Sequence, residues 1–463
     1  MSLLTVLYNT LKLWQPAFSR SQSFYRAIQH ALVALSLCGR RTITQTIIAL
    51  NRDQQDWSAD YKLYSKHKWE VKDLFQPIIE KTLPFATGKF IHIAVDDTKL
   101  RKTGKKITSA SWQRDPMGPS FQTNLVWAQR FLHFSFLVPM YDVFKSKDTP
   151  PRSLPIRFID APSVKKPGKR ATKEQIEIYK LESKERNLST LFLRETQKIR
   201  DALDLAGAKD KTALVVADGS FCNRTCMNIN IARIEMVARC RKDAKLCFAA
   251  VNEPRRFYSQ KKFSPEQVRQ NETISWKTEK IFHGGRWRDV YYKEIRNVLW
   301  QRGTKKKPLR LIVLRSVKYH VTKTGKAYYR QPAYLLSTEL ESPIKELIQA
   351  YFDRWQIEVN HREQKSIIGV GQAQVRNEES VHRQPAFLVA AYSALLLSSI
   401  LAYADQLNDQ TMASIPKWYR TAKRPSCRQL VSQLRRELLE YQEHNPNQEN
   451  VIDIKSLVLK MAA

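Results

Sequence analysis

Acid is what this chain is short of. Against 78 Lys and Arg it sets only 44 Asp and Glu, a formal net charge of +34 over 463 residues. Such a surplus repels itself unless an anionic partner neutralises it, and nucleic acid is the usual one; small acidic metabolites need far less charge. Cysteine is scarce too. Six of them without even spacing argue against a secreted disulfide scaffold. The opening segment MSLLTVLYNTLKLWQPAFSR is interrupted by Asn9, Lys12 and Gln15, so it lacks the basic-then-apolar order of a signal peptide. No internal repeat or low-complexity tract stands out. A single stretch, Ala386 to Ala404, is uncharged and long enough to cross hydrocarbon. With no second span and charged flanks, it reads as a helix buried on all sides, and no membrane partner is expected. What is present is core: hydrophobic residues make up 43%, which rules out a disordered basic tail, and the length predicts two to four structural units.

Residues 1–85 read as helical, with apolar positions three and four apart through Ala27, Ala31, Leu32 and Leu35 and again through Ile43, Ile47 and Leu50. Thr42, after the basic turn Gly39-Arg40-Arg41, is the expected cap of the second run. Arg20, Arg26, Arg40, Arg41 and Arg52 fit either a surface lying on DNA or the solvated face of a bundle. In 86–244 the pattern becomes α/β. Phe90 to Val95 and Thr212 to Ala217 are short apolar runs that suit strands buried on both faces, and Ile234 to Arg239 is a further strand candidate. Asn124 to Ala128 and Phe131 to Val138 read as two strands joined tightly around Gln129 and Arg130. Pro150 to Lys169 reads as a surface loop, and Thr172 to Leu205 as one long helix stopped by Gly207. Residues 245–332 are aromatic, basic and β-prone, a β-rich insertion with a good strand at Leu309 to Leu314, against which Tyr334 to Leu336 would pair back. Helical period returns in 333–405, and 406–463 is a polar tail, helical at best.

Asp97 and Asp218 both stand just past buried strands, the end of an open α/β sheet where ligands bind. The third element is Tyr351-Phe-Asp-Arg354-Trp-Gln-Ile-Glu358 and on to Lys365. On one α-helix, at about 100° per residue, Arg354, Glu358 and Lys365 fall at about 300°, 340° and 320° from Tyr351, a stripe roughly 60° wide and about 21 Å long. A phenol, two cations and a carboxylate make a poor apolar core face and a good surface for a phosphate backbone passing one metal-binding acid. Glu346 and Glu363 lie off the stripe, and Arg362 falls near it at about 20°. Phosphodiester chemistry needs the transferring phosphate neutralised and an oxygen nucleophile activated. Two divalent ions about 4 Å apart, held by carboxylates, supply both. Mg2+ suits a few carboxylates plus water, with Mn2+ as substitute. Arg354 and Lys365 would grip flanking phosphates, the first as a fork and the second as a point charge.

Asp97, Asp218 and the unbroken pattern Y-x2-R-x3-E-x6-K at Tyr351, Arg354, Glu358 and Lys365 resemble the DDE transposases of bacterial insertion sequences, in the group named for its YREK signature. The likeness runs over about 90–400 in element order, and the wording Asp-Asp-Thr and Val-Ala-Asp-Gly fits as well. It implies a ribonuclease H-like α/β catalytic domain with a β-rich insertion before the last catalytic helix, preceded by an all-helical DNA-end-binding region at 1–85. It implies Asp97, Asp218 and Glu358 as catalytic metal ligands, the acid before Thr98 taking the role rather than Asp96, and Tyr351, Arg354 and Lys365 as DNA-phosphate contacts. The implied activity is cut-and-paste movement: nicking, hairpin formation at the element ends, reopening and strand transfer. Its partners are double-stranded DNA, transposon ends and target alike, and a second copy of the chain in a synaptic dimer, with 406–463 open to an oligomerisation role. The expected place is the bacterial cytoplasm, on the nucleoid when DNA is bound.

Strand parity does not separate Asp96 from Asp97, and Asp210 and Asp243 are the fallbacks for Asp218. Cys222, Cys226, Cys240 and Cys247 are spaced C-x3-C-x13-C-x6-C, a poor match to zinc ribbons or fingers, so buried thiols are expected. Trp276, Trp287 and Trp300 either stack on an unpaired base or pack the insertion's own core. The basic clusters Arg101 to Lys106, Lys165 to Arg170 and Lys305 to Lys307 together favour a long DNA footprint. Two other readings remain: a nuclease of the same fold that only hydrolyses, and a DNA-binding module without chemistry.

Overall fold

The computed structural model describes residues 2–115, 118–119, 121–144, 149–251, 255–320, 325–404 and 423–444. Its first half holds helices α1 (Leu3–Lys12), α2 (Ser21–Ser36), α3 (Ile43–Ala49), α4 (Ser58–Ser65) and α5 (Val71–Thr82), then β1 (Phe90–Arg101), β2 (Ser111–Arg114) and β3 (Leu125–Val138). There follow α6 (Met140–Val143), β4 (Arg152–Asp160), α7 (Lys173–Glu185), α8 (Leu188–Leu205), β5 (Thr212–Ala217), α9 (Arg224–Met227) and β6 (Ile234–Arg239). Next come β7 (Leu246–Ala249), β8 (Tyr258–Phe263), α10 (Pro265–Gln270), β9 (Lys277–His283), β10 (Arg286–Leu299) and β11 (Pro308–Leu314). Last are β12 (Lys318–His320), β13 (Ala327–Tyr329), β14 (Ala333–Ser337), α11 (Ile344–Asp353), α12 (Trp355–Ser366), α13 (Glu378–Tyr403) and α14 (Cys427–His444).

These elements form two units, each discontinuous in sequence. Unit 1 takes Met1–Phe85, Asp97–Asn187 and Ile357–Ala463; unit 2 takes Ala86–Asp96 and Leu188–Gln356. The helical start therefore shares a unit with β3, β4 and the carboxyl-terminal helices.

In unit 1, α13 packs against α1, α2, α4, α5, α14 and β4. It is apolar around its whole circumference, and 83% of its most apolar window is buried, so its length serves a core. Thr42 caps α3 by accepting from the Gln45 amide, as its position before the apolar run required. A carboxylate fastens the amino-terminal helices: Asp60 Oδ1 on α4 accepts from Arg26 Nε (3.0 Å) and Arg52 Nη1 (2.8 Å) and pairs with His30 Nε2 (2.8 Å). Arg26 and Arg52, expected to face DNA or solvent, are thus turned inward onto an acid whose side chain is 0% exposed. Lys102 of the first basic cluster is also spent internally, its Nζ donating to the carbonyls of Gly371 (3.1 Å) and Ala373 (2.9 Å).

Unit 2 is a mixed sheet. The first half of β1 pairs parallel with β5 and β5 parallel with β6; β14, β11, β10, β7 and β8 continue in that order, with β9 also on β10. β14 pairs back antiparallel on β11, as its sequence required. One face of this sheet, including Leu214, Val237, Ile312 and Leu335, packs under Leu347 and Ile348 of α11. Each such fully buried aliphatic contributes about 1.5–3 kcal/mol through area removed from water. The described part of 245–332 is β-rich with one short helix, α10. Cys222 and Cys226 are thiols whose pKa values burial lifts to about 12 and about 11.

Three expectations are corrected. The two strands around Gln129 and Arg130 are one, β3, with Gln129 fully buried and bonded to Ser109 and the Val381 carbonyl in place of a turn. The Pro-rich stretch from Pro150 contains β4, pairing with β3; Pro155 sits at the register shift between Phe134 and Ser135, where a residue without an N–H is tolerated. The long helix from Thr172 is two helices, α7 and α8, broken at Arg186 and Asn187.

Candidate active site

β1 and β5 run side by side in register from Phe90↔Thr212 to Val95↔Ala217. Asp218 is the first residue after that paired run. Its carboxylate is held as a cap: Oδ1 accepts from the Ser220 amide (2.9 Å) and the Ser220 hydroxyl, starting a short turn over Gly219–Phe221. It is half-buried. Of the two fallbacks, Asp210 is exposed and Asp243 is paired with Arg241.

Asp97 lies inside a strand, which corrects the expectation that it stands past a strand end. β1 runs on to Arg101, beside β3 in the strand order, and the Lys102 amide donates to the Trp127 carbonyl at 2.9 Å. Arg130 of β3 reaches back to the acid, its Nε donating to Asp97 Oδ2 at 2.7 Å, with the two side chains 29% and 15% exposed. Burial lowers the pKa of Lys99, and the Asp97 charge opposes that shift.

The Tyr351-to-Lys365 segment is two helices, not one. α11 ends at Asp353, whose carboxylate accepts from Gln349, and Gln349 is locked to both backbone polar groups of Phe282 on β9. α12 is tied to β4 instead, Asn360 Nδ2 donating to the carbonyl and hydroxyl of Ser153, each at 3.0 Å. Arg354 is the joint, and the division between units follows Gln356. Arg354 itself keeps right-handed helical dihedrals, φ −48° and ψ −31°. Tyr351 and Arg354, both half-buried, belong to unit 2; Glu358, half-buried, and Lys365, exposed, lie about 20° apart on α12 in unit 1. Glu363 is excluded from solvent and accepts from the Tyr392 hydroxyl at 2.5 Å, which leaves Glu358 as the acid of this face. Arg362 is exposed.

One turn past Glu358, His361 meets a partner that sequence reasoning missed. Its Nε2 lies 2.9 Å from Nδ1 of His133 on β3, and His133 Nε2 lies 3.0 Å from the Ser135 hydroxyl. Burial pushes the His133 imidazole down to about 3, so it is neutral at pH 7. Arg130 escapes sequence reasoning as well, because its position reads as a turn. Of the three tryptophans, Trp276 carries Lys293 on its face (4.6 Å), Trp287 meets Phe282 edge-on and Trp300 closes a turn at Gly303.

Three carboxylates on separate elements are hard oxygen donors of the kind divalent cations take, so the donor set fits such an ion. They are divided between the units, Asp97 and Glu358 in one and Asp218 in the other, and among the described residues no group of three His, Cys, Asp or Glu is gathered to hold a metal.

A family model described as a DDE superfamily endonuclease matches residues 15–307, more than half of the chain. The chain belongs to the DDE superfamily endonucleases. The matched stretch includes Asp97 and Asp218 and ends before Tyr351. The mixed sheet flanked by helices is consistent with the ribonuclease H-like domain of such enzymes. Membership makes this endonuclease a transposase-like nuclease that cleaves DNA with divalent metal ions. No curated protein matches the chain.

Proposed function

We propose that this DDE endonuclease is the transposase of a bacterial insertion sequence of the YREK kind, cutting at the element ends through hairpins and joining them to target DNA. The observation that carries the reading is the parallel pair β1–β5, whose register closes at Val95 and Ala217, two residues before Asp97 and one before Asp218. Asp97, Asp218 and Glu358 are the proposed ligands of two Mg2+ ions. When bound, the ions neutralise the transferring phosphate and favour a nucleophilic oxygen at neutral pH. The chain's own groups do the rest. Arg354 clamps a phosphate flanking the scissile bond, Lys365 holds another as a point charge, and the Tyr351 hydroxyl donates to the same backbone. Concerted joining of two ends requires two copies of the chain, so we assign a synaptic dimer acting in the cytoplasm, with the amino-terminal helices reading the ends.

The test incubates the full chain with Mg2+ and labelled element-end duplex. Hairpins and joined products are the expected outcome. Nicks alone would reduce the protein to a hydrolytic nuclease, and shifted bands without cleavage to a binding protein.

A further inference from the structure

The β9–β10 hairpin gathers positive charge that no described residue neutralises. Its two-residue turn is Gly284–Gly285, with φ of +61° and +78°, the pair of left-handed residues that matches strand twist and that glycine adopts freely. Arg286 and His283 close the turn in register. The tip is held firmly: Gln349 of α11 accepts from the Phe282 amide and donates to its carbonyl, both at 2.8 Å, and the His283 ring stacks on Phe352 at 4.7 Å and 20°. The Arg288 guanidinium folds over the turn, 3.3 Å from where a Cβ on Gly284 would stand. Burial, then Arg288, Arg330 and Arg286 in that order, pushes the His283 imidazole down to about 4. Arg286 and Arg330 likewise lower Arg288, after burial.

Among the described residues, no carboxylate pairs with Arg286, Arg288 or Arg330. Buried His283 Nε2 and Arg288 Nε also find no hydrogen-bond partner there. The charges of Arg286, Arg288 and Arg330 all act on one imidazole and oppose one another there, and a buried donor without an acceptor adds a desolvation cost. Both costs vanish when an anion with several acceptor oxygens enters. Arg330 also lies 5.7 Å over the Tyr319 ring, on the neighbouring β12–β13 hairpin whose Tyr328 and Tyr329 are exposed. Cations beside exposed aromatic faces suit a nucleic-acid strand better than a free anion.

We propose that Arg286, Arg288 and Arg330 form a phosphate clamp at the tip of the β9–β10 hairpin, gripping a backbone phosphodiester of DNA with residues other than the proposed metal ligands and their flanking cations. The inference rests on the reading that this chain acts on DNA. Guanidinium forks fit phosphate oxygens bidentately, and His283, kept neutral, is left able to donate from one nitrogen without adding charge.

The test measures binding of labelled element-end duplex to the full chain by fluorescence anisotropy across a KCl series. Arg286→Gln/Arg288→Gln/Arg330→Gln should bind roughly tenfold more weakly, with the slope of log K against log salt shallower by about one for each phosphate no longer gripped. Arg288→Lys should keep most of the slope, since the charge remains. Thermal melting of the triple variant should be unchanged or raised, because repulsion is relieved. Wild-type affinity and slope in the triple variant, with wild-type protein itself binding in a steeply salt-dependent way, would overturn the clamp alone. If wild-type protein binds without salt dependence, the DNA reading itself fails.

Discussion

Arg130 Nε stands 2.7 Å from Asp97 Oδ2, so a guanidinium already occupies an oxygen that a divalent cation would take. One carboxylate oxygen cannot give its best lone pair to both. With Asp97 as the proposed metal ligand, Arg130 would compete with the ion until phosphate drew it away, coupling metal loading to DNA binding. The pair is partly solvated and worth about 1 kcal/mol. Replacing Arg130 with Gln should tighten Mn2+ binding about fivefold in the absence of DNA, read by titration calorimetry. Unchanged or weaker binding would show that Arg130 guards nothing.

Glu358→Gln keeps the shape of the α12 face and removes one of the three proposed anionic ligands. Cleavage of end DNA should fall at least about a thousandfold, as for loss of a group that stabilises the transition-state charge, while end binding stays within about twofold. Binding lost in parallel with cleavage would mean that Glu358 organises the fold of α12 instead.

Asp60 is fully buried under three cationic or protonatable side chains. Asp60→Asn strands Arg26 and Arg52 without their counter-charge, and breaking a buried ion pair from one side costs about 3–5 kcal/mol. A fall of that size should register in urea unfolding of the chain. A loss below about 1 kcal/mol would mean that the arginines re-solvate freely.

His133 gives the stability curve a defined acid limb. Its folded pKa, about 3, lies below the unfolded value near 6.5, so the unfolded chain binds more protons between those two pH values. The stability it contributes is whole above about pH 6.5 and drains away as pH falls toward 3. His133→Asn should flatten the decline in melting temperature between pH 7 and pH 4 while leaving the pH 8 value less affected. An equally steep decline in the variant would remove His133 as its cause.

Leu347 packs α11 onto the sheet beneath Leu335 and Ile312. Leu347→Ala should cost about 2–5 kcal/mol by deleting buried methylenes and leaving a cavity. A variant as stable as the parent in chemical unfolding would show that α11 is not pinned to that sheet.

Where local chemistry decides, the chain can be read in advance. β5 falls on Thr212–Ala217 because an unbroken apolar run between polar ends has no other buried use, and Thr42 caps α3 because its hydroxyl stands just before that helix. α13 is a core helix because its apolar surface faces every direction. β4 escapes such a reading, since a proline argues against a strand unless a partner supplies a bulge, and only β3 reveals that bulge.

The sequence by itself determined which residue types are available for chemistry: three carboxylates far apart in the chain, and the phenol and cations spaced among them. Those follow from side-chain identity and chain spacing, which need no partner. Tertiary structure alone decided that the Tyr351-to-Lys365 segment divides into two helices at Arg354, Gln349 tying α11 to β9 and Asn360 tying α12 to β4. It alone decided that Arg26 and Arg52 serve Asp60, and that Arg286, Arg288 and Arg330 have no acid to serve among the described residues. A charge's role depends on what long-range packing sets beside it, and no periodicity in the chain records that neighbour.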